Sequence, residues 1–107
     1  MANIFVNALK ASVPTTPFTL YTGPTDRKSV CHSIFMANKA ADEVAVSVEL
    51  TDISTGAVCL VANAVPVPIN TTYYLDKPIN IEEGDILKVW CDTAVSMDVT
   101  ASILQVT

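Results

Sequence analysis

Glycine is scarce, with only Gly23, Gly56 and Gly84, each isolated from the others. A loop that cradles phosphates needs clustered glycines for close backbone approach, so no nucleotide motif exists. Histidine is scarcer, with His32 alone. One histidine rules out a multi-histidine metal site within a chain. The three cysteines, Cys31, Cys59 and Cys91, stand 28 and 32 residues apart. Structural zinc sites draw on close pairs, which are missing here. An odd count also leaves one thiol unpaired in any disulfide scheme. Buried free thiols acting as small hydrophobes are the expectation, suited to reducing surroundings.

Positive charge is short as well. Six Lys and Arg face eleven Asp and Glu, for a formal charge of -5. No basic stripe tracks a phosphate backbone, so no nucleic-acid partner is expected. No apolar run approaches the ~20 residues of a membrane-spanning helix, and no membrane partner is expected. Lys10 follows an apolar run broken by Asn7, the reverse of a secretory leader. The sequon Asn70-Thr71-Thr72 is therefore read as accidental.

Catalytic chemistry finds little footing. Cys31 and His32 are strand neighbours and point to opposite faces. Cys91 with His32 stays open as a pair, with His32 itself read as a core or interface residue. Glu82 with Glu83, or Asp85 with Asp92, supplies carboxylates, but the first two sit in a turn beside Gly84. Asp26, Asp52, Asp85 and Asp92 could meet at a loop end and hold calcium, although no EF-hand spacing appears. Trp90, Tyr21, Tyr73 and Tyr74 could form a sugar platform, and Trp90 is instead assigned to the core. The expectation is a chain without enzymatic activity, cofactor or metal.

What is abundant is strand material. Valine, isoleucine and threonine make up 34 of the 107 residues. Branched side chains of this kind suit a pleated, half-buried surface. Strands are expected from Asn3 to Leu9, at Phe18 to Tyr21, and from Lys28 to Asn38. Val44 to Thr51 alternates most clearly and should form a hairpin with Ala57 to Val61. Thr71 to Leu75, Ile86 to Cys91 and Met97 to Gln105 follow. Val65-Pro66-Val67-Pro68-Ile69 loses two ladder donors and belongs on an edge or in extended loop. In Lys28 to Asn38, the alternation puts Val30, His32, Ile34 and Met36 on one face. A helical turn is expected only at Asn38 to Glu43.

Seven to nine strands with turns every eight to twelve residues predict a small antiparallel β-sandwich, jelly-roll-like or immunoglobulin-like. Residues 1–15 read as an N-terminal strand or arm that reaches a neighbouring subunit, and 16–107 as the single sandwich domain. Charge is uneven along the chain: residues 1–39 carry a net +3 and residues 40–107 a net -8. A basic N-terminal region could thus meet the acidic face of a neighbour.

Two stretches carry a family likeness. Glu83-Gly84-Asp85-Ile86-Leu87-Lys88-Val89-Trp90 is followed by Ser96-Met97-Asp98-Val99-Thr100-Ala101-Ser102-Ile103-Leu104, and Leu20-Tyr21-Thr22-Gly23-Pro24 precedes a basic residue and a strand. Over residues 16–106 this resembles small virion structural proteins of tailed bacteriophages. Gly23 stands where alanine is commoner in that group, and Gln105 where glutamate is usual. The resemblance implies a non-enzymatic virion component, made in the host cytoplasm, that decorates or cements the capsid as a homo-oligomer. A neck or tail adaptor is the alternative, and a carbohydrate- or receptor-binding module on a tail or fibre is a further one. Its partners would be copies of itself and major capsid, neck or tail proteins. Candidate contacts are Ile4, Phe5 and Val6 on the arm, Lys10, Arg27 and Lys28 as charge partners, and Val65 and Val67 on the proline-bearing edge.

Overall fold

The structure, a computed structural model, describes residues 3–106. Nine strands run in chain order: β1 (Ile4–Lys10), β2 (Phe18–Thr22), β3 (Lys28–Asn38), β4 (Val44–Asp52), β5 (Ala57–Val67), β6 (Thr72–Leu75), β7 (Ile79–Ile81), β8 (Ile86–Cys91) and β9 (Met97–Val106). No described residue is helical. The helical turn expected at Asn38 to Glu43 is absent because Asn38 bends the chain there. Its Nδ2 donates to the carbonyls of Asp42 and Val67, both at 2.9 Å, and its Oδ1 accepts from the Ala40 amide at 2.8 Å. A side chain that satisfies local backbone groups in this way competes with helix formation.

The strands form two antiparallel sheets. One has the order β1-β9-β3-β6, with β7 beside β6 on β3, and the other has the order β2-β8-β4-β5. Counting β6 and β7 as one interrupted strand gives eight strands in two four-stranded layers, the double Greek key of a jelly roll. The alternative left open by the sequence, jelly-roll or immunoglobulin-like, is settled by this strand order.

β1 pairs with β9 along its whole length, from Ile4 opposite Gln105 to Lys10 opposite Val99. The following loop puts Val13 into the core with no exposed surface, and its amide donates to the Met97 carbonyl at 2.8 Å. β1 is thus a strand of the first sheet, and Val13 is part of the core.

The core lies between the sheets. Cys31, Ile34, Met36, Val99, Ala101 and Ile103 from one layer meet Val44, Val46, Val48, Leu87, Val89 and Cys91 from the other. Each valine, leucine, isoleucine or methionine among them contributes about 1.5–3 kcal/mol through burial. The face expected for β3 is wrong in its first half. Cys31 pairs with Ile103 and Ser33 with Ser102, which leaves His32 as a bulge without a partner. One extra residue inverts the alternation. Cys31 therefore shares the core face with Ile34 and Met36, and His32 is exposed. Trp90 is also reassigned. Leu87, Val89 and Cys91 fill the inner parity of β8, so Trp90 is half-buried on the outer face.

Two features close one end of the sandwich. A polar chain runs from the Arg27 guanidinium to Gln105 Oε1 at 3.4 Å, from Gln105 Nε2 to the Tyr21 hydroxyl at 2.8 Å, and on to Ser29 Oγ at 2.8 Å. Glutamine can donate to the tyrosine oxygen where an ionised glutamate could only accept. Beside it, the Gly23 amide donates to the Asp85 carbonyl at 2.8 Å, and the Gly84 amide to the Gly23 carbonyl at 3.0 Å. A Cβ at position 23 would collide with the Glu82 backbone carbonyl, so this turn demands glycine.

Candidate functional site

The acidic loops meet at that same end. Asp52, Glu82 and Asp85 bring carboxylate oxygens within 4.8 Å of one another. The arrangement is that of a turn clasp. Asp85 is buried, and its carboxylate accepts from the Glu82 amide at 3.0 Å and the Ile53 amide at 3.1 Å. It therefore pins the β4–β5 turn to the start of β8. Asp52 is half-buried and accepts from the Ser54 amide at 3.1 Å and hydroxyl at 2.7 Å. The Ser54 hydroxyl holds the Asp52 carboxyl below its ordinary range. Glu83 takes the Asp26 amide at 2.9 Å. Asp92 lies at the other end of β8 and accepts from the Ala45 amide at 3.1 Å. These acids serve the backbone, and Asp85 and Asp92 do not meet.

The thiol chemistry is equally committed. Burial raises Cys31 to about 11, which keeps it protonated and a poor nucleophile. Cys91 is buried and its Sγ lies 3.0 Å from the Thr93 carbonyl and 3.3 Å from the Val13 carbonyl. With His32 on the outside of β3, Cys91 and His32 do not form a couple. Cys59 corrects the expectation of three buried thiols, because it is exposed.

The expected contact residues fall in three places. Ile4 and Phe5 are 37% and 77% exposed on the edge strand β1, while Val6 packs against the core from the same strand. Lys10, at the far end of β1, holds its ammonium 5.1 Å from the centre of the Phe18 ring, an attraction within its own chain. Arg27 and Lys28 line an open recess with Asp26, Glu82, Glu83 and Val106. Lys28 pairs with Val106, and Ile4 with Gln105 in the same strand, so the start of β1 and the two basic residues share one end. Val65 is half-buried on β5. Val67 is a correction: it is fully buried in the core and offers no surface to a neighbour.

The structure adds a surface that these readings missed. Ala57, Val58, Cys59, Leu60 and Val61 are consecutive, apolar and exposed on both faces of β5. Ile53, in the turn before them, is 55% exposed. The signal was present in the prolines. Ala57–Val67 is one strand, so the edge placement demanded by Pro66 applies to the whole run. Elsewhere, Phe35 and Tyr74 stand edge to face with centroids 5.3 Å apart on the outer face of the first sheet. They lie on adjacent strands and not in a loop cluster.

The architecture can be set beside known structures. No family model matches the sequence, and no curated protein matches it. A chain in the structure of infectious bursal disease virus, Gx strain, superposes with a TM-score of 0.60 over 99% of this chain at 10% identity. The fold is shared with a virus protein. This chain spans about a third, 33%, of that one. Two crystal structures of a pentameric capsid protein isolated from metagenomic phage sequences match more loosely. Their TM-scores are 0.44, with 18% and 19% identity, covering 94% of this chain and 59% and 60% of theirs. The jelly roll is an architecture used by viral capsid domains, and also by lectins and cupins.

Proposed function

We propose that this chain is a non-enzymatic structural protein of a virus particle, one that decorates or cements the capsid through homo-oligomeric contacts. The observation that carries the reading is the jelly-roll superposition on a virus chain over nearly the whole length, at a TM-score of 0.60. The likeness of residues 16–106 to tailed-phage virion proteins points the same way. The mechanism is burial of apolar edges between copies, with each modest contact multiplied by the symmetry of a shell. β1 offers Ile4 and Phe5 at one sheet edge, and Arg27 and Lys28 offer positive charge at the same end. A neck or tail adaptor would use the same surfaces in a ring. The exposed Phe35–Tyr74 pair favours a receptor- or carbohydrate-binding module instead.

The test is mass spectrometry of purified particles from the source of this sequence, followed by cryo-electron microscopy of the same particles. Density for this chain on the capsid lattice is expected. A ring at the neck or along the tail would replace decoration with the adaptor role. Absence from mature particles would overturn the structural reading.

A further inference from the structure

Among the described residues, strand β5 pairs with β4 on one side only, so its other side is an open row of main-chain donors and acceptors. Proteins usually defend such an edge with charge, proline or a bulge. None of the eleven residues of Ala57–Val67 is charged, and Pro66 blunts only the far end. Glu49 pairs with Leu60 and Val48 with Ala62, so Val61 is a bulge that turns the strand away beyond it. The undefended part is therefore residues 57–61, the part whose apolar side chains are exposed on both faces.

We infer that this segment is covered by the same segment of a second copy, in an antiparallel β5–β5 pair across a two-fold axis. This deepens the structural reading above by naming the partner at one of its edges. Charge favours a copy here. Each chain carries -5, so two copies approach most easily where neither presents charge, and residues 57–61 meet that condition. The run is also self-complementary, apolar along its whole length.

Symmetry then fixes the register. Opposed residues in an antiparallel pair point to the same face, and successive residues to opposite faces. A two-fold axis normal to the sheet keeps every side chain on its own face, so some residue must meet its own copy at the axis. The register that overlaps all of 57–61 on itself places Cys59 opposite Cys59 of the second copy. Val58 then faces Leu60, and Ala57 faces Val61. Opposed Cα atoms lie about 4.5–5.5 Å apart, within the range a disulfide spans. Cys31 and Cys91 are buried, which leaves Cys59 as the reporter. Five residues bury far less than the about 1,200–2,000 Å² of a stable interface. The pair is therefore weak alone and gains its strength by repetition in an assembly.

The test oxidises the full chain with copper phenanthroline and follows disulfide dimer by non-reducing mass spectrometry. Ser54→Cys in a Cys59→Ser background serves as a control for random collision in the neighbouring turn. Cys59 should cross-link at least tenfold faster than that control. In the same background, Val58→Cys mixed with Leu60→Cys should cross-link faster than either alone. Equal rates at positions 59 and 54 would overturn the pairing. Preferential linkage of Cys59 to a cysteine placed at Asn7 would also overturn it, by making β1 the occupant. Absence of the chain from virus particles, by contrast, defeats the structural role and leaves the cross-linking result standing.

Discussion

Strands β4 and β5 are hairpin mates with the same taste for valine and leucine, yet their surroundings differ completely. Val44, Val46 and Val48 on β4 are at most 1% exposed, whereas Val58, Leu60 and Val61 on β5 are 36–57% exposed. β4 lies between β8 and β5, beneath the opposite layer, and β5 has one neighbour and an open edge. Apolar character on β4 is consumed by folding. On β5, over residues 57–61, it is left over, as an open apolar edge of the kind that strand pairing can cover.

The sharpest way to break this contrast is to charge each strand in turn. Val46→Asp buries a carboxylate without a partner and should cost about 3–5 kcal/mol, much of a typical total of about 5–15 kcal/mol. Leu60→Asp should change the stability of the monomer by no more than about 0.5 kcal/mol. Urea denaturation of the two variants measures both, and similar losses would erase the distinction between the strands.

A smaller effect is expected where the hairpin is fastened. Asp85→Ala strips the Ile53 and Glu82 amides of their acceptor and should cost about 1–3 kcal/mol. The loss should loosen the β4–β5 turn, so hydrogen exchange should quicken at Ile53 and leave Val46 unchanged. Uniform quickening across both strands would contradict a local clasp.

The smallest effect lies at the opposite end of the sandwich. Lys39 Nζ sits 2.8 Å from Asp98 Oδ1, and both side chains are more than 40% exposed. The Lys39 hydrogen bond, with the Ser12 amide behind it, lowers the Asp98 carboxyl from its ordinary value. A carboxyl lowered in the folded state stabilises above its unfolded pKa, and the gain is lost as pH falls through the folded value. Asp98→Asn should therefore cost less than about 1 kcal/mol at pH 7 and nothing in strong acid. A penalty that persisted at low pH would mean that the carboxylate charge is not the source.

Much of this architecture was legible in the residues. β3 and β8 have the bounds their composition predicts, and β4 puts Val44, Val46 and Val48 into the core as read, although Ser47 between them is buried too. Legibility failed where a single residue changed the register. The bulge at His32 moved Cys31 to the core face. On β5, the bulges around Val61 and Ala64, the latter with φ of 48°, hid the continuity of one strand behind two apparent segments. Val67 consequently looked like surface and Cys59 like core, each the reverse of its place. Val65 and Val67 lie on the same strand as the exposed run, at its covered end. Apolar composition cannot say which end of a strand its neighbours leave bare; that depends on β5 lying outermost in its sheet.

The most direct measurement is hydrogen–deuterium exchange of the intact chain over a range of protein concentrations. Protection of residues 57–61 should rise with concentration, while Val44 to Val48 stay protected throughout. Exchange at 57–61 that ignores concentration, or a rise confined to β1, would contradict the claim that β5 is kept apolar for a second copy.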